Sequence, residues 1–434
     1  MQREIIHERF LEYYEKLGFQ LSYRAPMLHP SVPMSFVMSA GLVQIELGLT
    51  QLGVNGAAPP PPAILIQTCF RHFDIHKIGE RNSHLSLFEM PGAFIFGAEN
   101  RLRLLRWQWQ FVTQELAIPR ERIWATYFIG GQLGAHDLPP DLDSRNTWLA
   151  LGLPPERVIG YGMDGNYWQQ GGSVAEDPTR RRKCGPQTEL FYDRGEALRC
   201  GADCAPGCGC GRFVEFSNTL FISHEYDSIR GALIPLVLPF SETVIGTERV
   251  AMILQEAPSV FDTSEFLPLM EAVRTRFAPH HTPGTSTPQG QTHLRVIADH
   301  LRSIYVLLSE GAPPPGKNGR ARIIRVLMRN IITRMILLGS EDGGGIDNLL
   351  AHVRAHVSHL VIDADGTEAK FREYFAQELV RFTTTVRQGE QELCKLVDGN
   401  EGSTLTGTQI AFLEKKLGLP VLLIRKQLDE MKLL

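Results

Sequence analysis

The stretch AILIQTCFRHFDIHKIGERNSHLSLFEMPGAFIFG, residues 63–97, decides how this chain is read. Its ends are short apolar runs, AILIQTCF on one side and LSLFEM with AFIFG on the other. Between them lies a polar, basic segment. Two such runs around one polar loop predict an antiparallel hairpin. Arg71 lies at the first strand of this hairpin and brings a planar, permanently charged guanidinium to it.

The pattern continues outward in both directions. Upstream, Ile6, Phe10, Tyr14 and Leu17 recur at helical spacing, and Gly18 stands where a helix would stop. Pro26 to Gln44 reads as strand and turn, and the prolines between Asn55 and Ala63 read as an exposed loop. Downstream, RFVEFSNTLFIS and ALIPLVLPFSETVIG are β-like, and a helix is expected from near Thr247. Composition shifts at Ala278 to Gln291, a candidate linker. Beyond it Leu294, Ile297, Ala298, Leu301 and Ile304 form one apolar helical stripe, and Ile324, Leu327, Met328, Ile331 and Met335 another. Strands first and helices later predict an α+β protein. The expected division is an α+β body followed by an α-helical domain.

With 434 residues, 43% hydrophobic and 21% charged, the chain can bury a large core and is not of disordered composition. The formal net charge of −4 advertises no polyanion partner, although a local basic stripe on a neutral body would serve one. The first residues, MQREIIHERFLEYY, carry no apolar signal core. The longest strongly apolar stretch, Ala232 to Phe240, contains two prolines and is too short to span a bilayer. A cytoplasmic protein without membrane contact is expected.

Cys200, Cys204, Cys208 and Cys210 fall within eleven residues, interleaved with Gly201, Pro206, Gly207 and Gly209. Four thiolates complete the closed tetrahedral shell of structural Zn2+, and the glycines allow a tight knuckle. Reduced cysteines on a bare loop are the alternative. No position is left open for catalysis, so such a metal would be a staple.

Two arginines carry the candidate chemistry, Arg71 and Arg249 in SETVIGTERVAMIL. Guanidinium forks suit phosphate oxygens, but each residue alone could equally be an arginine in a surface salt bridge. On the expected helix Arg320 to Leu338, Arg322, Arg325 and Arg329 fall on one side, opposite the apolar stripe, as either a phosphate-tracking face or a solvated one. Arg180 to Lys183 is a second basic patch and reads as a loop.

Taken together, these segments resemble one family. CFRHFDIHKIG with RNSHLSLFEMPGAFIFG resembles motif 2 of class II aminoacyl-tRNA synthetases, and IGTERVAMILQ resembles motif 3. GNYWQQGG, CGPQTELFYDRG and RFVEFSNTLF are similar to successive segments of alanyl-tRNA synthetases. HLRVIADHLRS and GRARIIRVLMRNIITRMILLG resemble that family's tRNA-recognition domain, and LTGTQIAFLEKKLGLPVLL its last stretch. Several motifs in one order are far more specific than any single match.

The resemblance implies an antiparallel sheet flanked by helices in residues 1–257 and an all-α tRNA-recognition domain in 258–434. It implies activation of a small amino acid with ATP and Mg2+, then transfer to the 3' end of tRNA. It further implies that Arg71 grips the α-phosphate and that Arg249 packs on adenine near the γ-phosphate. His84, Glu89 and Met90 would belong to the ATP site, with the Met90 backbone facing the adenine edge. Trp168 would roof the amino-acid side chain, Asn218 would hold the substrate's carboxylate or carbonyl, and Glu242 would take the ammonium group. The same cysteine set resembles a cysteine-rich insertion of some bacterial members.

Three departures qualify the match. The family's editing and C-terminal regions have no counterpart before Leu434, so a monomer without editing is expected. The acid–Thr–Gly that usually precedes motif 3 reads Glu242-Thr243-Val244, and Gln187 replaces the usual second cysteine of CGPC. The longer carboxylate and the isopropyl group crowd the place of an alanine, so glycine or another small acid is equally admissible. Finally, the turn PPPGKNGR has Asn318 slightly later than the family's asparagine, which leaves reading of a G·U acceptor pair open. Transfer of the adenylate to a carrier protein, or a non-catalytic tRNA-binding role, are the competing readings.

Overall fold

The computed structural model describes residues 1–29, 41, 45, 59–73, 75–171, 181–277, 287–340, 345–361, 363–399 and 405–433. Most of the expected strand and turn after Pro26, part of the proline-rich loop, most of the linker, and Arg180 lie outside them.

Among the described residues eleven strands form in chain order. They are β1 (Gln20–Leu21), β2 (Ala63–Phe70), β3 (Leu87–Phe96), β4 (Ile123–Phe128), β5 (Gly131–Leu133), β6 (His136–Leu138), β7 (Val158–Tyr161), β8 (Tyr167–Gln169), β9 (Arg181–Asp193), β10 (Phe213–Asp227) and β11 (Ala232–Ile245). Nine make one sheet in the order β1-β2-β3-β11-β10-β9-β4-β7, with β8 on β9, while β5 and β6 pair separately. The centre, β2 to β4, is antiparallel throughout. At the rims β1 lies parallel to β2, and β7 parallel to β4. The β4–β7 pair is a short crossover around the helix Leu142–Ala150, a local alternation that the sequence pattern did not reveal.

LSLFEM and AFIFG, read as separate runs, join in the single strand β3 through Pro91. Proline has no N–H to donate. Pairing from β11 accordingly ends at Gly92 opposite Val244, one residue short of it. Arg181 to Lys183 begin β9 and are therefore strand, with Arg182 fully buried, which corrects the expectation of a loop there.

One face of the sheet packs on helices. Ile6, Phe10 and Tyr14 of the helix Arg3–Lys16 are buried there with Ile64, Phe70, Leu87 and Ile95. The same core runs into the helical region through Phe261, Phe266 and Met270 to Ile297, Leu301 and Ile304 of the helix Pro288–Ser309. The apolar stripes of the sequence are thus the inward faces of Pro288–Ser309 and Gly319–Leu337. The opposite face of the sheet has a smaller cluster of its own, Leu65, Phe94, Phe96, Leu220, Ile222 and Phe240, with Trp168 against it. That second face carries the cleft.

Candidate active site

Strand alternation places residues i and i+2 on one face, and the register of four strands makes a grid. Gly92, Val244, Asn218 and Glu189 lie side by side across β3, β11, β10 and β9. The next row is Phe94, Glu242, Leu220 and Gln187. Above this floor opens a cleft of about 330 Å³, whose walls include Arg71, His84, Met90, Trp168, Asn218, Glu242, Val244 and Arg249. Eight residues expected in the site from separate parts of the sequence therefore meet in one cavity.

Arg71 follows directly on β2. Its guanidinium lies over the Phe88 ring at 5.0 Å, and its Nε is buried without a hydrogen-bond partner among the described residues. Arg249 stands in the first turn of the helix Thr247–Leu254. Its Nε donates to the Ser83 carbonyl at 3.1 Å, and its Nη1 donates to the Glu215 carbonyl at 2.8 Å and to the Glu215 carboxylate at 3.0 Å. A loop oxygen and an acid thus hold the guanidinium over the cleft.

Glu189 and Glu215 also line the cleft, and sequence reasoning passed over both. Burial pushes the Glu189 carboxyl well above its usual range, the neighbouring Glu215 charge adds to this, and Arg249 partly offsets it. Gln187 connects the grid, its Nε2 donating to the Gly165 carbonyl at 2.8 Å and to Glu189 at 3.2 Å. Its Oε1 accepts from Asn218 Nδ2 at 3.2 Å. The Gly165 carbonyl can only accept, which fixes the amide's orientation. The signal for Glu189 was available, because in QTEL it sits two residues from Gln187 and so shares its face.

Glu89 departs from the expectation. Alternation along β3 sends Phe88 and Met90 into the cleft and turns Glu89 to the helical face. There its carboxylate accepts from His359 at 3.1 Å and lies 3.8 Å from Arg3. Although burial opposes it, the His359 hydrogen bond and the neighbouring His7, His359 and Arg3 side chains bring this carboxyl down to about 2. Glu89 is an ion-pair partner at the sheet–helix boundary, not a wall of the cleft.

The arginine face is only partly open. Asn318 and Arg322 are exposed at the start of the helix Gly319–Leu337. Burial and the neighbouring Arg329 lower the Arg325 guanidinium's affinity for its proton. Arg329 itself is committed within the chain, Nε to Glu378 at 2.6 Å with its guanidinium 4.8 Å above Phe382. It belongs to the joint with the helix Ala364–Asp398 more than to an open surface.

The four cysteines Cys200, Cys204, Cys208 and Cys210 have their sulfurs within 4.8 Å of one another, with Cys200 to Cys208 at 3.2 Å and Cys204 to Cys210 at 3.6 Å. An ion bound by four sulfurs at about 2.3 Å sets S···S edges of roughly 3.8 Å, so this donor set fits Zn2+. Gly207 and Gly211 both have φ near +86°, where a side chain would be strained. Tyr161 Oη donates to the Pro206 carbonyl at 2.6 Å, and Arg81 donates to the Gly209 carbonyl. The knuckle is thereby docked on the end of β7 and on the loop between β2 and β3.

A nine-stranded sheet built around an antiparallel centre, two arginines over a cleft and a helical half behind define a class of protein. The chain belongs to the tRNA synthetases class II (A), whose family model matches residues 5–433. It is 30% identical over 432 residues to an alanine--tRNA ligase of Desulforudis audaxviator, covering 98% of this chain and 46% of that one. It is 29% identical over 419 residues to the alanine--tRNA ligase of Dehalococcoides mccartyi, covering 96% and 45%. The chain spans about half the length of the curated relatives it matches. Among solved structures it is similar to apo histidyl-tRNA synthetase of S. aureus, at 12% identity and a TM-score of 0.36 over 63% of this chain and 75% of that one. No helix among the described residues is long and apolar enough to cross a membrane.

Proposed function

We propose that this protein activates a small amino acid, alanine or a relative such as glycine, with ATP and Mg2+ and transfers it to the 3' end of a tRNA. The observation that carries the reading is the single cleft in which Arg71 and Arg249 face the same space as Trp168, Asn218 and Glu242. Activation joins the amino-acid carboxylate to the α-phosphate and releases pyrophosphate, so the enzyme must align the two and offset charge on the phosphates. Arg71 offers a buried Nε donor without a partner among the described residues, as a group reserved for a ligand would. Arg249 is preorganised by Ser83 and Glu215, so its charge needs no reorganisation when the phosphates arrive. Met90, 6% exposed, and His84 would border the nucleotide.

At the other end Glu242, 1% exposed, would take the ammonium group, and Trp168 with Asn218 would enclose the rest. Val244 and Leu220 stand beside it in the grid, so the space favours a hydrogen or a methyl side chain. Mg2+ would supply charge neutralisation at the phosphates. Zn2+ in the knuckle would hold the loop that carries Arg81 and Ser83.

Residues 1–257 would form the adenylate and 258–434 would bind tRNA through Asn318, Arg322 and Arg325, with Arg329 supporting them from its place on Glu378. Aminoacylation of an alanine-type tRNA transcript, with and without its G·U pair, tests the acceptor. Labelled amino acid on the transcript supports the reading. Adenylate that forms but reaches no tRNA would favour a carrier-protein acceptor.

A further inference from the structure

Behind the cleft, on the helical face of β3, lies a small cavity of about 40 Å³ bordered by Arg3, Glu89, Glu248, Arg302, His356 and His359. Glu248 borders both this cavity and the cleft. It immediately precedes Arg249 in the first turn of Thr247–Leu254, where the helix dipole favours a carboxylate. Both of its oxygens accept from one donor, the Glu89 main-chain N–H, at 3.1 and 3.2 Å. The helix that carries Arg249 is thus bonded directly to the strand whose next residue, Met90, lines the cleft.

Arg302 comes from the other half of the molecule, the helix Pro288–Ser309, and is 3% exposed. It donates to the Leu87 carbonyl, lies 3.9 Å from the Glu248 carboxylate and stacks 4.8 Å above Phe266. A buried guanidinium is costly unless something uses it. Here it spans the strand backbone two residues before Glu89 and the carboxylate that holds Glu89. Leu87 to Met90 are therefore clamped between Glu248 and Arg302.

We propose that Glu248 and Arg302 are positioning residues for nucleotide binding: acting together, they set the backbone of β3 at Leu87–Met90 against the helix bearing Arg249, so that the helical region presets the ATP side of the cleft. Arg302 borders the small cavity, whereas Glu248 reaches both the cavity and the cleft. Arg302 acts through the main chain of β3, and Glu248 through Glu89 N–H and the helix it shares with Arg249. The pair's hydrogen bonds run to the Glu89 N–H and the Leu87 carbonyl, on the ATP side, so that is where their loss is expected to be felt, more than on β8 to β11.

The inference rests on the nucleotide-binding reading of the cleft, and its test separates the two. Amino-acid-dependent pyrophosphate exchange is measured for the whole chain, for Glu248→Gln, for Arg302→Lys and Arg302→Met, and for the double variant Glu248→Gln/Arg302→Met. ATP binding and thermal stability are recorded alongside. Glu248→Gln and Arg302→Met should raise KM for ATP about tenfold, as loss of one charge-assisted contact does, with KM for the amino acid unchanged. Arg302→Lys should recover part of the loss, and the double variant should be no worse than the poorer single one, as expected for two members of one unit. A purely structural role would lower thermal stability and the active fraction while leaving KM for ATP unmoved, and that result overturns the proposal. Equal rises in KM for ATP and for the amino acid would overturn it too. A wild-type chain that binds ATP without exchange counts against the adenylation reading alone, and the pair is then judged on ATP affinity. A wild-type chain that binds no ATP sinks both.

Discussion

The guanidinium of Arg249 is bonded to the main-chain oxygen of Ser83, Nε to O 3.1 Å, although 166 residues separate them. One belongs to the helix after β11 and the other to the loop between β2 and β3. The loop is held in turn from three sides. Arg81 donates to the knuckle at Gly209, the Asn82 carbonyl accepts from Val260 N–H at 2.9 Å, and Ser86 N–H donates to Asp299 at 3.0 Å. The charge over the cleft is therefore placed by parts of the chain far apart in sequence.

Arg249→Ala removes a preorganised charge and leaves the core intact, since its side chain sits at the cleft and outside the apolar cluster. Pyrophosphate exchange should fall by about 100-fold or more for every amino acid, with circular dichroism unchanged. Normal exchange would contradict the site assignment.

Val244→Gly removes an isopropyl group beside Asn218 and in line with Gly92. One to three methyl-sized groups in such a pocket decide roughly tenfold in selectivity. The ratio of kcat/KM for alanine or serine over glycine should rise about tenfold. An unchanged ratio would remove Val244 from the pocket wall.

The core and the helix boundaries were legible in sequence because they rest on local rules. Ile6, Phe10 and Tyr14 are buried as their spacing requires, and the helix from Thr247 starts where Gly246 allows. The cleft arginines were legible only as company for one another, because an isolated Arg71 says nothing of what faces it. Glu89 was misplaced for a physical reason: a motif records neighbours along the chain, whereas the alternation of β3 decides the face. Glu248 and Arg302 lay beyond local rules altogether, since their meeting is a contact between two helices, made by residues 54 apart in the chain.

The knuckle predicts metal dependence. Metal analysis should find about one zinc per chain, released by chelator, and Cys204→Ser should lose it. Removal should lower thermal stability before activity is lost at low temperature, because the thiols stand outside the cleft. Zinc-free protein of equal stability but without activity would contradict the role of a staple.

His356 provides a pH signature. Burial and the nearby Arg302 charge push its imidazole down to about 3, although its Nδ1 is paired with the Glu265 carbonyl at 2.9 Å. The native state therefore resists protonation that the unfolded chain accepts below about 6.5. This contribution is present above pH 6.5 and is lost as pH falls toward 3. Thermal melts between pH 7 and 4 should fall more steeply for wild type than for His356→Gln. Parallel curves would place His356 in an ordinary, solvated setting.

The central claim is that one cleft takes ATP and a small amino acid together, and amino-acid-dependent exchange of labelled pyrophosphate into ATP tests it most directly. Across a panel of amino acids, exchange is expected with alanine or glycine and with none of the large side chains. A well-folded protein that exchanges with no amino acid, or with large ones alone, would contradict it.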